Sequence, residues 1–229
     1  MLNLKSRRAN SNLILIVTSQ QLREPLITNL TIWTYDWVPE MPRGFVRDLR
    51  LRWACAEAGL AYTVRTVPFD GREGNHLGQQ PFGQVPFLSD GDVELFESGA
   101  GLLHLARKCD TLMPRDPAGE AETVQWLFAA LNSIEIVTPP WWFLGITGGQ
   151  STELTGWVGK RLGQLERVLA TRELLAAGRF TVADLLMADV LRVPGVRLRP
   201  HCRHSPVAPV NAWNDICLPG LPYPLACKH

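Results

Sequence analysis

The chain has 229 residues, 46% of them hydrophobic and 20% charged, with 23 Lys and Arg against 22 Asp and Glu. These proportions fit a soluble globular protein of one large or two small domains, and exclude a wholly disordered chain, collagen and a small disulfide scaffold. A formal net charge of +1 speaks against a bulk nucleic-acid binder.

Residues 1–29 carry Lys5, Arg7, Arg8 and Arg23 against Glu24 and form an extension expected to be disordered. Its apolar run, Leu13 to Val17, is shorter than a signal h-region and far below the ~20 residues that span a bilayer. Polar Ala9 to Asn12 stand where a twin-arginine signal needs apolar residues. No membrane partner and a cytoplasmic location are expected. The cysteines number five, an odd count without paired spacing, which agrees with a reducing compartment.

Leu30 to Tyr35 is β-branched and aromatic and reads as a strand. A loop with two prolines, Asp36 to Gly44, leads into a helix whose apolar stripe is Phe45, Leu49, Trp53 and Ala56, stopped by Gly59. Tyr62 to Val67 is a second strand, and a right-handed crossover makes the two parallel. Val85 to Leu88 and Val93 to Phe96 flank Asp90-Gly91, a tight-turn signal, and form an antiparallel hairpin. Glu97-Ser98 opens a helix reaching about Lys108.

No strand pattern follows Met113. Val124, Leu127, Phe128, Leu131 and Ile134 predict one helix, Pro139-Pro140 breaks it, and Val158, Leu162, Leu165 and Leu169 predict another. Thr181 and Asp184 form the best helix-start signal in the chain, with Phe180 placed to staple against Leu185. The organisation expected is a 1–29 extension, a small α/β domain over 30–112 with a mixed four-stranded sheet, an all-helical domain over 117–194, and an irregular tail with six prolines over 195–229.

Gly83-Gln84-Val85-Pro86-Phe87-Leu88, Leu95-Phe96-Glu97-Ser98 and Phe180-Thr181-Val182-Ala183-Asp184, in that order, resemble the glutathione S-transferase family. Ala56-Glu57-Ala58-Gly59-Leu60 is similar to it as well, and the likeness runs from about residue 30 to 194. It implies a thioredoxin-like domain followed by an α-helical one, usually as a homodimer. The ligands implied are glutathione as co-substrate and a small electrophile. Val85-Pro86 matches the family's cis-peptide, which turns the backbone of Val85 toward the cysteinyl part of glutathione. Glu97 and Ser98 match the positions that hold the γ-glutamyl end, and Ser98 is equally a plain helix cap. Gln84 is a further candidate for the tripeptide backbone.

In such an enzyme the nucleophile is the substrate's thiol, with a pKa near ~8.5 that a hydroxyl or a cation must lower. This chain departs from the family because no Ser or Cys stands before the first helix. Tyr35 is the candidate hydroxyl, or else packs against Trp33 or Trp37. Arg43, Arg47 and Arg50 recur along the helix start opposite its apolar stripe; they gather a thiolate or carboxylate, or form a solvated basic face. Arg47 is a candidate glutathione contact. Trp37, Trp141 and Trp142 are candidate walls of the electrophile pocket, or core and interface residues. Cys55 and Cys109 are read as filling residues. A thiol oxidoreductase lacks its Cys-x-x-Cys, so the second reading is a binding protein that keeps the fold without turnover. His201, Cys202, His204, Cys217, Cys227 and His229 match no recurrent zinc spacing, and no metal is expected. Family members continue with further helices where residues 195–229 do not, so this tail is read as a frameshifted or divergent end.

Overall fold

A computed structural model describes residues 29–193. The expectations for the N-terminal extension, the 195–229 tail and its His and Cys residues lie outside the described residues.

The sheet begins with β1 (Leu30–Tyr35), whose residues alternate between its two faces, as a period of two requires. Leu30 and Ile32 enter the main core on one face, while Trp33 and Tyr35 pack on Val67, Val85 and Phe87 on the other. Helix α1 (Asp48–Ala58) carries the chain over to β2 (Thr63–Val67), parallel to β1 with Thr31 opposite Thr63 and Tyr35 opposite Val67. A short α2 (Arg72–Asn75), which no sequence period announces, precedes the cis Val85–Pro86 bond. Antiparallel β3 (Phe87–Asp90) then pairs with β1 and with β4 (Val93–Phe96), giving the order β2-β1-β3-β4. This is the mixed four-stranded sheet expected from the parallel unit and the hairpin, in the thioredoxin-like form that the family resemblance implies.

Helix α1 corrects the sequence reading. Its buried residues are Leu51, Ala54 and Cys55 together with Asp48, Arg50, Arg52 and Glu57, whereas Phe45 precedes the helix and is 41% exposed, and Leu49, Trp53 and Ala56 are half-buried. The helix is covered by the sheet, α3 (Ser98–Ala106) and α7 (Val182–Arg192) together, so burial does not follow its most apolar stripe. Its charged residues survive burial in pairs, such as Asp48 with Arg52 at 2.7 Å. Cys55 is fully buried, and burial pushes its thiol up to about 12, which makes it inert packing material.

The remaining elements are α4 (Pro117–Ala129), a π-helical turn over Ala130–Glu135, α5 (Thr138–Ile146) and α6 (Thr152–Leu169). The π turn widens the helical repeat; Ile134 within it is buried, while Phe128, expected on the same stripe, precedes it in α4 and is exposed. Pro139 and Pro140 open α5 rather than merely ending a helix, since a proline in the first turn has no hydrogen bond to lose. The capping box of α7 is formed as read: Asp184 accepts from the Thr181 N–H at 2.9 Å and Thr181 Oγ1 from the Ala183 N–H at 3.3 Å. Asp184 also accepts from the Leu175 N–H at 2.8 Å, tying the preceding loop to the helix. One apolar cluster includes Leu51, Leu102 and Leu105 from the sheet half and Leu127, Leu185 and Val190 from the helical half.

Gly83 sets the loop before β3, at φ +64° and with the Arg72 carbonyl oxygen 2.7 Å from where a Cβ would stand. A left-handed residue and a backbone clash together exceed what either costs alone. Gly83→Ala is expected to lower stability by about 2 kcal/mol or more, read from the urea midpoint at unchanged slope.

Candidate functional site

A cavity of about 300 Å³ opens where the Val85 end of the sheet meets the helical region. Tyr35, Gln84 and Val85 line one side, Pro42, Phe45 and Val46 the loop side, and Pro139, Trp142 and Val193 the helical side. Between them stand the charged groups Arg47, Arg50, Glu135, Asp189 and Arg192.

Arg50 is the hub. Its side chain is 2% exposed; its Nε donates to Asp189 at 2.5 Å, Nη2 to Glu135 at 2.5 Å, and Nη1 to both Glu135 and the Ser98 hydroxyl at 3.1 Å. A buried guanidinium demands such partners because desolvation is otherwise prohibitive. Burial alone raises the Asp189 carboxyl, but the nearby Arg50 and Arg192 outweigh it and hold the group below its usual range. The same carboxylates outweigh desolvation at Arg50 and strengthen its hold on the proton. Arg192 donates to Asp189 and, at 3.1 Å, to the Gly44 carbonyl, and its guanidinium lies over the Phe45 ring. Arg47 Nε donates to Glu135 at 3.0 Å from a side chain 43% exposed.

The expected face of Arg43, Arg47 and Arg50 is therefore not one solvated row. Arg43 donates to the Val38 carbonyl at 3.4 Å, Arg47 half faces the cavity, and Arg50 is buried. Glu135, Asp189 and Arg192 escaped the sequence reading, because acidic and basic residues dispersed along a chain give no local signal that they converge.

Tyr35 reaches the cavity wall, but its hydroxyl donates to the Gly83 carbonyl at 3.0 Å. Burial raises its pKa against a smaller opposing pull from Arg72, so the phenol stays protonated at neutral pH. The buried His76 reaches the Gln84 carbonyl at 3.0 Å, and Phe82 N donates to the Gln80 side chain at 2.6 Å. Because a carbonyl only accepts, His76 Nε2 carries its proton there. These bonds fix the segment ahead of Val85. The β1–β3 ladder ends at the Trp33–Phe87 pair, leaving Val85 beyond it at the cavity.

Glu97 is exposed in a left-handed conformation, φ +70°, immediately before α3. Ser98 is buried behind Arg50, next to the cavity but not among its lining residues. Of the three tryptophans, only Trp142 lines the cavity, at 6.0 Å from the Phe45 ring. Trp37 lies against Phe69 at 4.9 Å and Trp141 donates to Thr155 at 3.2 Å, so neither walls the pocket. Among the described residues no group of His, Cys, Asp and Glu could hold a metal ion, and no helix is long and apolar enough to cross a membrane.

Residues 42–107 match the N-terminal domain of glutathione S-transferases. The chain is 32% identical over 177 residues to glutathione S-transferase 1 of Schizosaccharomyces pombe, covering 69% of this chain and 73% of that protein. It is 26% identical to a glutathione S-transferase of Dirofilaria immitis, covering 70% and 76%. Among solved structures it shares its fold with a theta class glutathione S-transferase of Xanthomonas axonopodis pv. citri with glutathione bound, at 24% identity, TM-score 0.63, and 81% and 96% coverage. It shares it also with the nitrogen regulation fragment of the yeast prion protein Ure2p, at 22% identity, TM-score 0.60, and 75% and 86% coverage.

Arg50→Met leaves the buried Glu135 with Arg47 alone and Asp189 with Arg192 alone, one oxygen of each carboxylate losing its partner, and is expected to cost about 3 kcal/mol. The depressed Asp189 carboxyl contributes stability in full above its unfolded value of ~3.9, and that contribution disappears as pH falls through the lower folded value. Urea midpoints taken from about pH 6 to about pH 3 should fall for the wild type and flatten in Asp189→Asn from a lower starting point.

Proposed function

This chain belongs to the glutathione S-transferase family, and from that premise we propose that it binds glutathione in the cavity and conjugates the glutathione thiolate to a small electrophile. The observation that supports the reading is that Val85, placed past the end of the β1–β3 ladder, and Arg50, which donates to Ser98 at the N-terminus of α3, line the same cavity. The Val85 N–H and C=O suit the peptide backbone of the cysteinyl residue, with Pro86 turning the chain there and Gln84 beside it. Ser98 suits a carboxylate, by its hydroxyl and by the α3 N-terminus, and the exposed Glu97 carboxylate suits the γ-glutamyl ammonium. Phe45, Pro139, Trp142 and Val193 make an apolar wall for the electrophile.

In this reading the protein acts on electrophiles in detoxification, in the cytoplasm and as a homodimer. Phe82, 68% exposed and 6.3 Å from the Phe96 ring beside edge strand β4, is the apolar contact assigned to the second copy.

A second reading, a glutathione-binding or interaction protein without turnover, is favoured by the Tyr35 hydroxyl, whose proton is spent on Gly83 rather than offered to a thiol. Two measurements separate the readings. Calorimetric titration of reduced glutathione should show saturable binding, weakened about tenfold in Ser98→Ala. Turnover of an activated chloronitroarene then supports conjugation, and binding without turnover supports the second reading. No binding by the folded protein removes both glutathione roles.

A further inference from the structure

The cavity holds three guanidinium groups, on Arg47, Arg50 and Arg192, against two carboxylates, on Glu135 and Asp189. The hydrogen bonds locate the surplus cation. Arg50 uses all three nitrogens on Asp189, Glu135 and Ser98, and Arg192 uses its three on Asp189 and Gly44. Both oxygens of Glu135 and both of Asp189 accept from these arginines. Arg47 alone is partly uncommitted: Nε is spent on Glu135, and its two terminal nitrogens make no hydrogen bond or ion pair among the described residues.

Glu135 can hold Arg47 because it ends the π turn, where the widened repeat delivers a buried carboxylate between α1 and the cavity. It grips Arg47 at Nε, which fixes the guanidinium plane while leaving its terminal edge available. Phe45, Val46 and Trp142 line the cavity beside it.

Resting on the glutathione reading, we infer that Arg47 is the catalytic residue that holds the glutathione thiolate, and that Glu135 is its positioning residue. The candidate hydroxyl is otherwise engaged, since Tyr35 donates to Gly83. The thiol releases its proton to solvent water, and the thiolate pairs with the Arg47 guanidinium. With an activated chloronitroarene the sulfur electron pair forms a bond to the ring carbon, and chloride leaves with the C–Cl pair. The rival anion for this position is the glycyl carboxylate, which needs no activation and titrates in a different range.

The test compares wild type, Arg47→Gln, Arg47→Lys and Tyr35→Phe, using thiolate ultraviolet absorbance of the glutathione complex and the pH profile of kcat/KM with chloronitroarene. Thermal unfolding shows that each variant is folded. Arg47→Gln should raise the bound thiol pKa by about one unit, toward ~8.5, and lower kcat/KM about tenfold below that pKa. Arg47→Lys should retain most of the lowered pKa, and Tyr35→Phe should leave it in place. A thiol pKa unchanged in Arg47→Gln with a raised KM for glutathione makes Arg47 a carboxylate clamp and overturns the inference, as does a pKa rise confined to Tyr35→Phe. Failure of wild type to bind glutathione in calorimetry defeats the underlying reading and this inference with it, before any variant is compared.

Discussion

A single buried guanidinium organises the molecule. Arg50 leaves α1, meets Glu135 from the π turn and Asp189 from α7, and touches Ser98 at the start of α3. Four segments distant in sequence are thereby fixed around one charge. Such a group tolerates no vacancy among its partners, because the loss of solvation in the interior is repaid only by complete and well-directed hydrogen bonding. The cavity exists at this junction because the side chains that satisfy Arg50 also form its walls.

Polar and apolar forces divide the labour between the two halves. Leu51, Leu102 and Leu105 pack in the same cluster as Leu127, Leu185 and Val190, so hydrophobic burial holds the helices against the sheet without direction. Direction comes from the charged pairs and from the capping box of α7, whose Asp184 fixes both the helix start and the preceding loop at Leu175. The Arg192 contact with the Gly44 carbonyl carries that orientation into the loop ahead of α1. A chain of contacts thus runs from a cap in the helical region to the segment that presents Phe45 and Arg47.

Catalysis of the proposed kind asks little of the protein beyond holding a thiolate and presenting an apolar surface to its partner. The usual solution is one donor placed before the first helix. Here the loop from Asp36 to Gly44 carries no Ser or Cys, the nearest phenol serves the Gly83 carbonyl, and the uncommitted charge of the cavity falls on an arginine. A cation does not deliver a proton, as a hydroxyl does, but it lowers the same pKa by favouring the charged form.

Sequence alone was enough for the four strands and for α1, α3, α4, α6 and α7 in their order, though not for α2, the π turn or α5. The β-branched run at Leu30 to Tyr35, the Asp90-Gly91 turn and the Thr181 to Asp184 cap are local signals, written in residues that act on their own backbone. The motif residues Val85, Pro86, Glu97 and Ser98 could be named through their resemblance to the family's contiguous motifs. The face that α1 buries, the widened repeat at the π turn, the helix opened by Pro139 and Pro140, and the separation of Trp142 from Trp37 and Trp141 were decided by tertiary packing. A stripe of apolar residues predicts burial only when one side of a helix is covered, and α1 is covered by sheet and helices together. The charged cluster lay further out of reach: Arg47, Arg50, Glu135, Asp189 and Arg192 are ordinary surface-type residues until folding removes the water around them, and a pairing across 139 positions, as between Arg50 and Asp189, has no trace in any local pattern.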